Sequence, residues 1–144
     1  MSHFFDFNGI WNFIVEHPFI LSRFVFVALS EEIIWRAAAQ PFLVESLGFP
    51  LGLSIVALCF VLAHDHIFRN SVLVTIEFLA FALLLGAVYH WTGSLILVIL
   101  VHALRDIEIT YIEYVVKVHE LGDEERASKE IDRQYLPGLR ERHE

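Results

Sequence analysis

Three charged side chains, Glu31, Glu32 and Arg36, sit inside a run from Phe24 to Ala39 that is otherwise apolar apart from Ser30, and this placement restricts the fold more than any other feature. At the centre of a membrane-spanning helix each such charge costs roughly 2.5 to 3.5 kcal/mol, so a lone span carrying three would be strained. Either the segment is an interfacial helix with its charges in water, or the charges compensate one another. On a helix Glu32 and Arg36, four residues apart, share one stripe with the acid N-terminal to the base, the better orientation for an ion pair. Glu31 points elsewhere. The expectation is a neutralised Glu32–Arg36 pair beside a Glu31 aimed at a polar cavity, where an unpaired carboxylate can act as a base.

Composition favours the membrane alternative. Of 144 residues 56% are hydrophobic, 13 are Phe, and the mean hydropathy is +0.58, against roughly 45 to 50% apolar in an ordinary soluble domain. A span takes about 20 residues, and the apolar runs divide into an all-α, multi-pass transmembrane bundle of about four spanning helices, near 18–40, 51–66, 72–91 and 94–117. An aromatic-rich amphipathic stretch, about 3–16, suits a short interfacial helix ahead of them. Residues 1 to 117 then form one membrane-embedded domain, and 118 to 144, with eight acids against five Lys or Arg, a charged tail that is solvated or partly helical. The turns near 41–50 and 90–94 lack Lys and Arg. Arg69, Lys117, Arg126, Lys129, Arg133, Arg140 and Arg142 share the other side, which by the positive-inside rule makes both termini cytoplasmic in a multi-pass cell-membrane protein. No basic footprint for nucleic acid is present. Cys59, the single cysteine, lies in an apolar run and reads as a small buried hydrophobe.

Polar groups within apolar helices are expensive and demand a reason. Phe60 and His64 lie four apart on the second helix, and His102 and Asp106 four apart on the fourth, so each pair shares a face. An Asp one turn beyond a His can accept its ring proton and fix the tautomer. On the third helix Phe78, Ala82 and Gly86 repeat at the same spacing, a stripe where a neighbouring backbone can come close.

In this order, Glu31-Glu32-x-x-x-Arg36, Phe60-x-x-x-His64, Phe78 to Gly86 and His102-x-x-x-Asp106 resemble the four motifs of the CPBP family of glutamic intramembrane proteases. That family includes the type II CAAX prenyl endopeptidases and bacteriocin-processing or immunity proteins. The resemblance covers about residues 30 to 106 and implies a helical membrane fold in which a Glu and a His activate water for attack on a peptide carbonyl. Carried over, Glu31 is the base, His64 its partner, and His102 with Asp106 the oxyanion side, with Glu32, Arg36 and Phe60 in support. No cofactor and no metal is implied. The implied partners are a membrane-associated protein or peptide substrate, lipidated or bearing a C-terminal sorting tail, and the bilayer. Many relatives carry Asn where this chain has Asp106, and an ionised Asp cannot donate to an oxyanion. Either Asp106 holds a proton or it orients His102, which then donates alone. The chain is also short for the family, so access or selection of substrate calls for a homo-oligomer or a partner subunit.

Three other classes fit some of the same residues. Glu31, Glu32, His64 and His102 could furnish a hydrolytic zinc, although no HExxH pattern is present. A non-catalytic immunity or scaffold protein could use the same bundle. A proton-coupled carrier is disfavoured by the lack of inverted-repeat halves.

Overall fold

A computed structural model describes residues 7 to 64 and 71 to 136. Among these every regular element is helical: α1 (Phe7–Glu16), α2 (Pro18–Glu32), a π-helical segment (Ile33–Ala39), α3 (Gln40–Leu47), α4 (Phe49–Leu62), α5 (Val72–Thr92), α6 (Leu95–Leu121) and α7 (Glu124–Tyr135). The all-α class therefore holds. The start of the expected interfacial helix at residues 3 to 6, the end of the second expected span at 65 and 66, Arg69, and tail residues 137 to 144 lie outside the described residues.

The expected number of spans is not reached on length and composition. Among the described residues only α5 is by itself long and apolar enough to cross a membrane; α1 with Pro18–Leu47 passes only as a pair bent by 96°. The reasons are visible in the helices. The apolar α4 has 14 residues, against the roughly 20 a span needs. The 27-residue α6 is interrupted by Arg105, Asp106, Glu108, Glu113 and Lys117.

The chain forms two compact units, Ala28–His102 and Met1–Val27 with Ala103–Glu144. In the first, Gly48 (φ 81°) turns α3 into α4. A Cβ on Gly52 would come within 2.7 Å of the Leu43 and Val44 backbone, so glycine lets these two helices touch. Ser71 accepts from the Val74 amide at the start of α5, and left-handed Gly93 (φ 63°) ends it. Leu53, Val56, Ala57, Phe60 and Val61 from α4 and Ala82 and Leu85 from α5 are buried. Outward-facing positions of the same unit are also apolar, with Ile33, Ile34, Leu58, Leu62, Leu73, Ile76 and Leu84 exposed.

The second unit is built on Phe13, Ile20, Phe24, Ile107, Tyr111 and Ile131. Its last helix, α7, begins where Asp123 accepts from the Glu125 and Arg126 amides, and it buries Ala127 and Ile131. Thus part of the charged stretch after residue 118 belongs to a core. Four-residue spacing of its small and apolar residues permits this within an acidic helix. His17, at the bend between α1 and α2, is held between Asp132 (3.0 Å) and Ser128 (3.3 Å) of α7. Arg23 donates to the Tyr135 carbonyl from α2.

Candidate active site

Within Ala28–His102, side chains from α2, the π segment, α4, α5 and the first turns of α6 converge. Glu32 and Arg36 are wholly buried and paired at 3.2 Å. Arg36 also donates from Nη2 to the Ala82 carbonyl at 3.4 Å, and its guanidinium carbon lies 4.7 Å from the centre of the Phe60 ring. An arginine so desolvated needs all these partners, and the aromatic face is one that guanidinium groups favour. Phe60, fully buried, packs in turn against Trp35, Phe78, His64 and His102.

The two histidines are oriented from behind. His64 Nδ1 lies 2.7 Å from the Phe60 carbonyl oxygen one turn earlier. A carbonyl only accepts, so the hydrogen resides on Nδ1, and Nε2 of the neutral ring presents a lone pair. His102 Nδ1 lies 2.8 Å from Glu32 Oε1, which by the same logic makes Nδ1 the donor there too. Glu32 thus fixes the tautomer of His102. The buried carboxylate of Glu32 serves both Arg36 and His102, one oxygen to each.

Both Nε2 atoms face Glu31, His64 at 3.6 Å from Oε1 and His102 at 3.7 Å from Oε2. These separations exceed a direct hydrogen bond and suit a bridging water. The Glu31 side chain is 25% exposed where Glu32 is 0%, so neighbouring carboxylates have different surroundings. One can meet solvent and substrate, and the other cannot.

Glu31, Glu32, Arg36, Phe60, His64 and His102 are thus brought together. Asp106 lies one turn beyond His102 on α6, half-buried in the other compact unit, with its backbone carbonyl accepting from Thr110 Oγ1 at 2.8 Å. Among the described residues no group of three or more His, Cys, Asp or Glu is arranged to hold a metal ion.

Sequence reasoning missed two features. One is the π segment, in which the Gln40 amide reaches back to the Trp35 carbonyl. The other is Gln40 itself, 2% exposed, donating from Nε2 to the Gly86 carbonyl at 2.8 Å. A signal was present. Gln40 continues the four-residue spacing of Glu32 and Arg36 in an apolar run, opposite the Phe78–Ala82–Gly86 stripe.

Neither a curated protein nor a solved structure matches the chain. The family model described as type II CAAX prenyl endopeptidase Rce1-like matches residues 12–107, which includes every residue of the cluster and Asp106. With two-thirds of its length matched and the paired acids, arginine and two histidines in one polar centre, this chain belongs to the type II CAAX prenyl endopeptidase Rce1-like family.

Proposed function

We propose that the protein is an intramembrane endopeptidase that hydrolyses a peptide bond of a membrane-associated protein or peptide with water activated at Glu31. The observation that carries this reading is the convergence of both Nε2 atoms on Glu31, at 3.6 and 3.7 Å, with each ring pinned through Nδ1. Family membership supports peptidase chemistry in general.

The chemistry requires a base for the water and a donor for the developing oxyanion. A water between Glu31 and His64 gives a proton to the carboxylate as its oxygen bonds to the scissile carbonyl carbon. The carbonyl oxygen takes up negative charge and is met by Nε2–H of a protonated His102, whose positive charge the Glu32 carboxylate offsets. Glu31 then passes its proton to the amide nitrogen as the C–N bond breaks. Arg36 remains opposite the Glu32 carboxylate throughout the cycle. Asp106, next along the His102 helix, is assigned here to the oxyanion side with His102, as the family resemblance implies.

Water-poor surroundings strengthen such electrostatic contacts, and a bilayer supplies them. The distribution of side chains supports a membrane location, and the placement of Lys and Arg in the sequence favours a multi-pass arrangement with both termini cytoplasmic. In and beside the π segment the buried residues are Glu32, Arg36 and Gln40, while the exposed ones include Ile33 and Ile34. That is the reverse of a soluble helix. The short α4 and the charge-bearing helices would then cross as parts of a bundle that shields their polar stripe.

The test uses purified protein in lipid vesicles with a fluorogenic prenylated C-terminal peptide, alongside a comparison of new protein termini in membranes of cells carrying wild-type or Glu31→Gln protein. Cleavage by wild type and none by a folded Glu31→Gln variant is expected. Full activity of Glu31→Gln would remove Glu31 from the mechanism, and a biological function that survives the substitution would favour a non-catalytic role on the same fold.

A further inference from the structure

The structure assigns a positioning role to Gln40: by anchoring the end of the π segment to α5 it sets the rotation at which Glu32 holds His102 and Glu31 faces both rings. The assignment rests on the hydrolase reading above.

Glu32, Arg36 and Gln40 follow one another at four-residue spacing, and two of them reach carbonyls that are themselves four residues apart on α5, Ala82 and Gly86. The two rungs are unequal. Arg36 to Ala82 spans 3.4 Å, near the limit of a hydrogen bond, while Gln40 to Gly86 is 2.8 Å. The stronger anchor therefore lies at the far end of the irregular segment. Isolated π turns are uncommon and hold only where their surroundings impose them. Release of the Gln40 bond would let residues 33–39 relax toward α-helical register, which changes the rotation of Glu31 and Glu32 relative to α5.

The pocket around Gln40 is built closely. A Cβ on Gly86 would approach Gln40 Oε1 to 2.8 Å and Leu53 Cδ1 more closely still, so any larger residue there would make both side chains shift. Gln40 Oε1 is buried and has no hydrogen-bond partner among the described residues, so Nε2 is the end of the amide that secures it. Gln40 commits the Nε2 of its amide to Gly86. Its influence passes through the backbone of the π segment and through Arg36 and Glu32.

Gln40→Met keeps the length of the side chain and removes the donor. The expected result is a kcat lower by about ten- to a hundredfold, with KM within about twofold, as displacement of reacting groups by a fraction of an ångström produces. Gln40→Glu gives a sharper signature. Only its protonated carboxyl can donate to the Gly86 carbonyl, so kcat relative to wild type at the same pH should rise as the pH falls. Rates are normalised to folded protein from detergent gel filtration. A merely structural role would lower the folded fraction and leave both kcat per folded molecule and the shape of the pH profile as in wild type. Unchanged kcat in Gln40→Met beside an inactive Glu31→Gln overturns the positioning role alone. If Gln40→Met fails to fold, a flat activity ratio for Gln40→Glu across pH overturns it instead. Activity that survives Glu31→Gln overturns the hydrolase reading, and the positioning role with it.

Discussion

Each compact unit contains a buried histidine beside an acid, and the two histidines are used differently. His17 has both ring nitrogens engaged, Nδ1 by Asp132 at 3.0 Å and Nε2 by Ser128 at 3.3 Å, with the Phe13 ring 4.7 Å away. His102 has Nδ1 engaged by Glu32 at 2.8 Å, while Nε2 is held 3.7 Å from Glu31 Oε2. A ring satisfied at both ends is a fastener, in this case for α7. A ring locked through Nδ1, with Nε2 turned to the carboxylate of Glu31, is placed to exchange a proton there. The difference lies in the second nitrogen and is invisible in a list of histidines and acids.

The largest effect expected from this contrast is on chemistry. Glu31→Gln should lower the hydrolysis rate by about 10²- to 10⁴-fold, the range that a positioned base contributes, and leave the unfolding transition in detergent where it was. Next comes Glu32, whose carboxylate serves both Arg36 and His102 without exposure. Glu32→Leu strands a buried guanidinium and should cost about 3–5 kcal/mol of stability in denaturant titrations, whereas Glu32→Leu with Arg36→Leu should recover much of that loss without recovering activity. A stable single variant would mean that Arg36 finds water. At His17 the prediction inverts. His17→Leu should leave activity per folded molecule within about twofold and lower stability by only about 1 kcal/mol, because the Asp132 side chain is 40% exposed and can rehydrate. The loss should appear as faster amide exchange in α7, and a hydrolytic defect of tenfold or more would erase the distinction between the two rings.

Much of the open site was legible in the sequence, for a physical reason. Charges in apolar runs are so costly that Glu31, Glu32, Arg36, His64 and His102 stood out individually, and helical spacing paired Glu32 with Arg36. Spacing within a helix could not show the contact between Glu32 and His102, because it joins residues 70 apart. The π segment has no local signature: Ile-Ile-Trp-Arg-Ala-Ala-Ala contains neither Gly nor Pro, and its wide turns are imposed by the neighbours they face. The fastener was harder to see. His17, Ser128 and Asp132 look like surface polar residues in sequence, and the docking of α7 depends on Ala127 and Ile131 amid charges.

The smallest effect concerns the end of that same helix and depends on pH. The Tyr135 hydroxyl is pushed above its ordinary range chiefly by burial; a hydrogen bond with Thr110 opposes this, and the nearby Glu113 carboxylate, which accepts from the hydroxyl at 2.8 Å, adds to it. Since the folded protein holds this proton more tightly than the unfolded chain, its contribution is fully present below the ordinary tyrosine value of about 10 and is lost as the pH rises through the elevated folded value. Tyrosinate absorbance of wild type minus Tyr135→Phe should therefore titrate late, and α7 amide protection should fall over the same alkaline interval in wild type while changing less in the variant. Titration of Tyr135 at the ordinary value would show that its hydroxyl stays hydrated and adds nothing to the hold on α7.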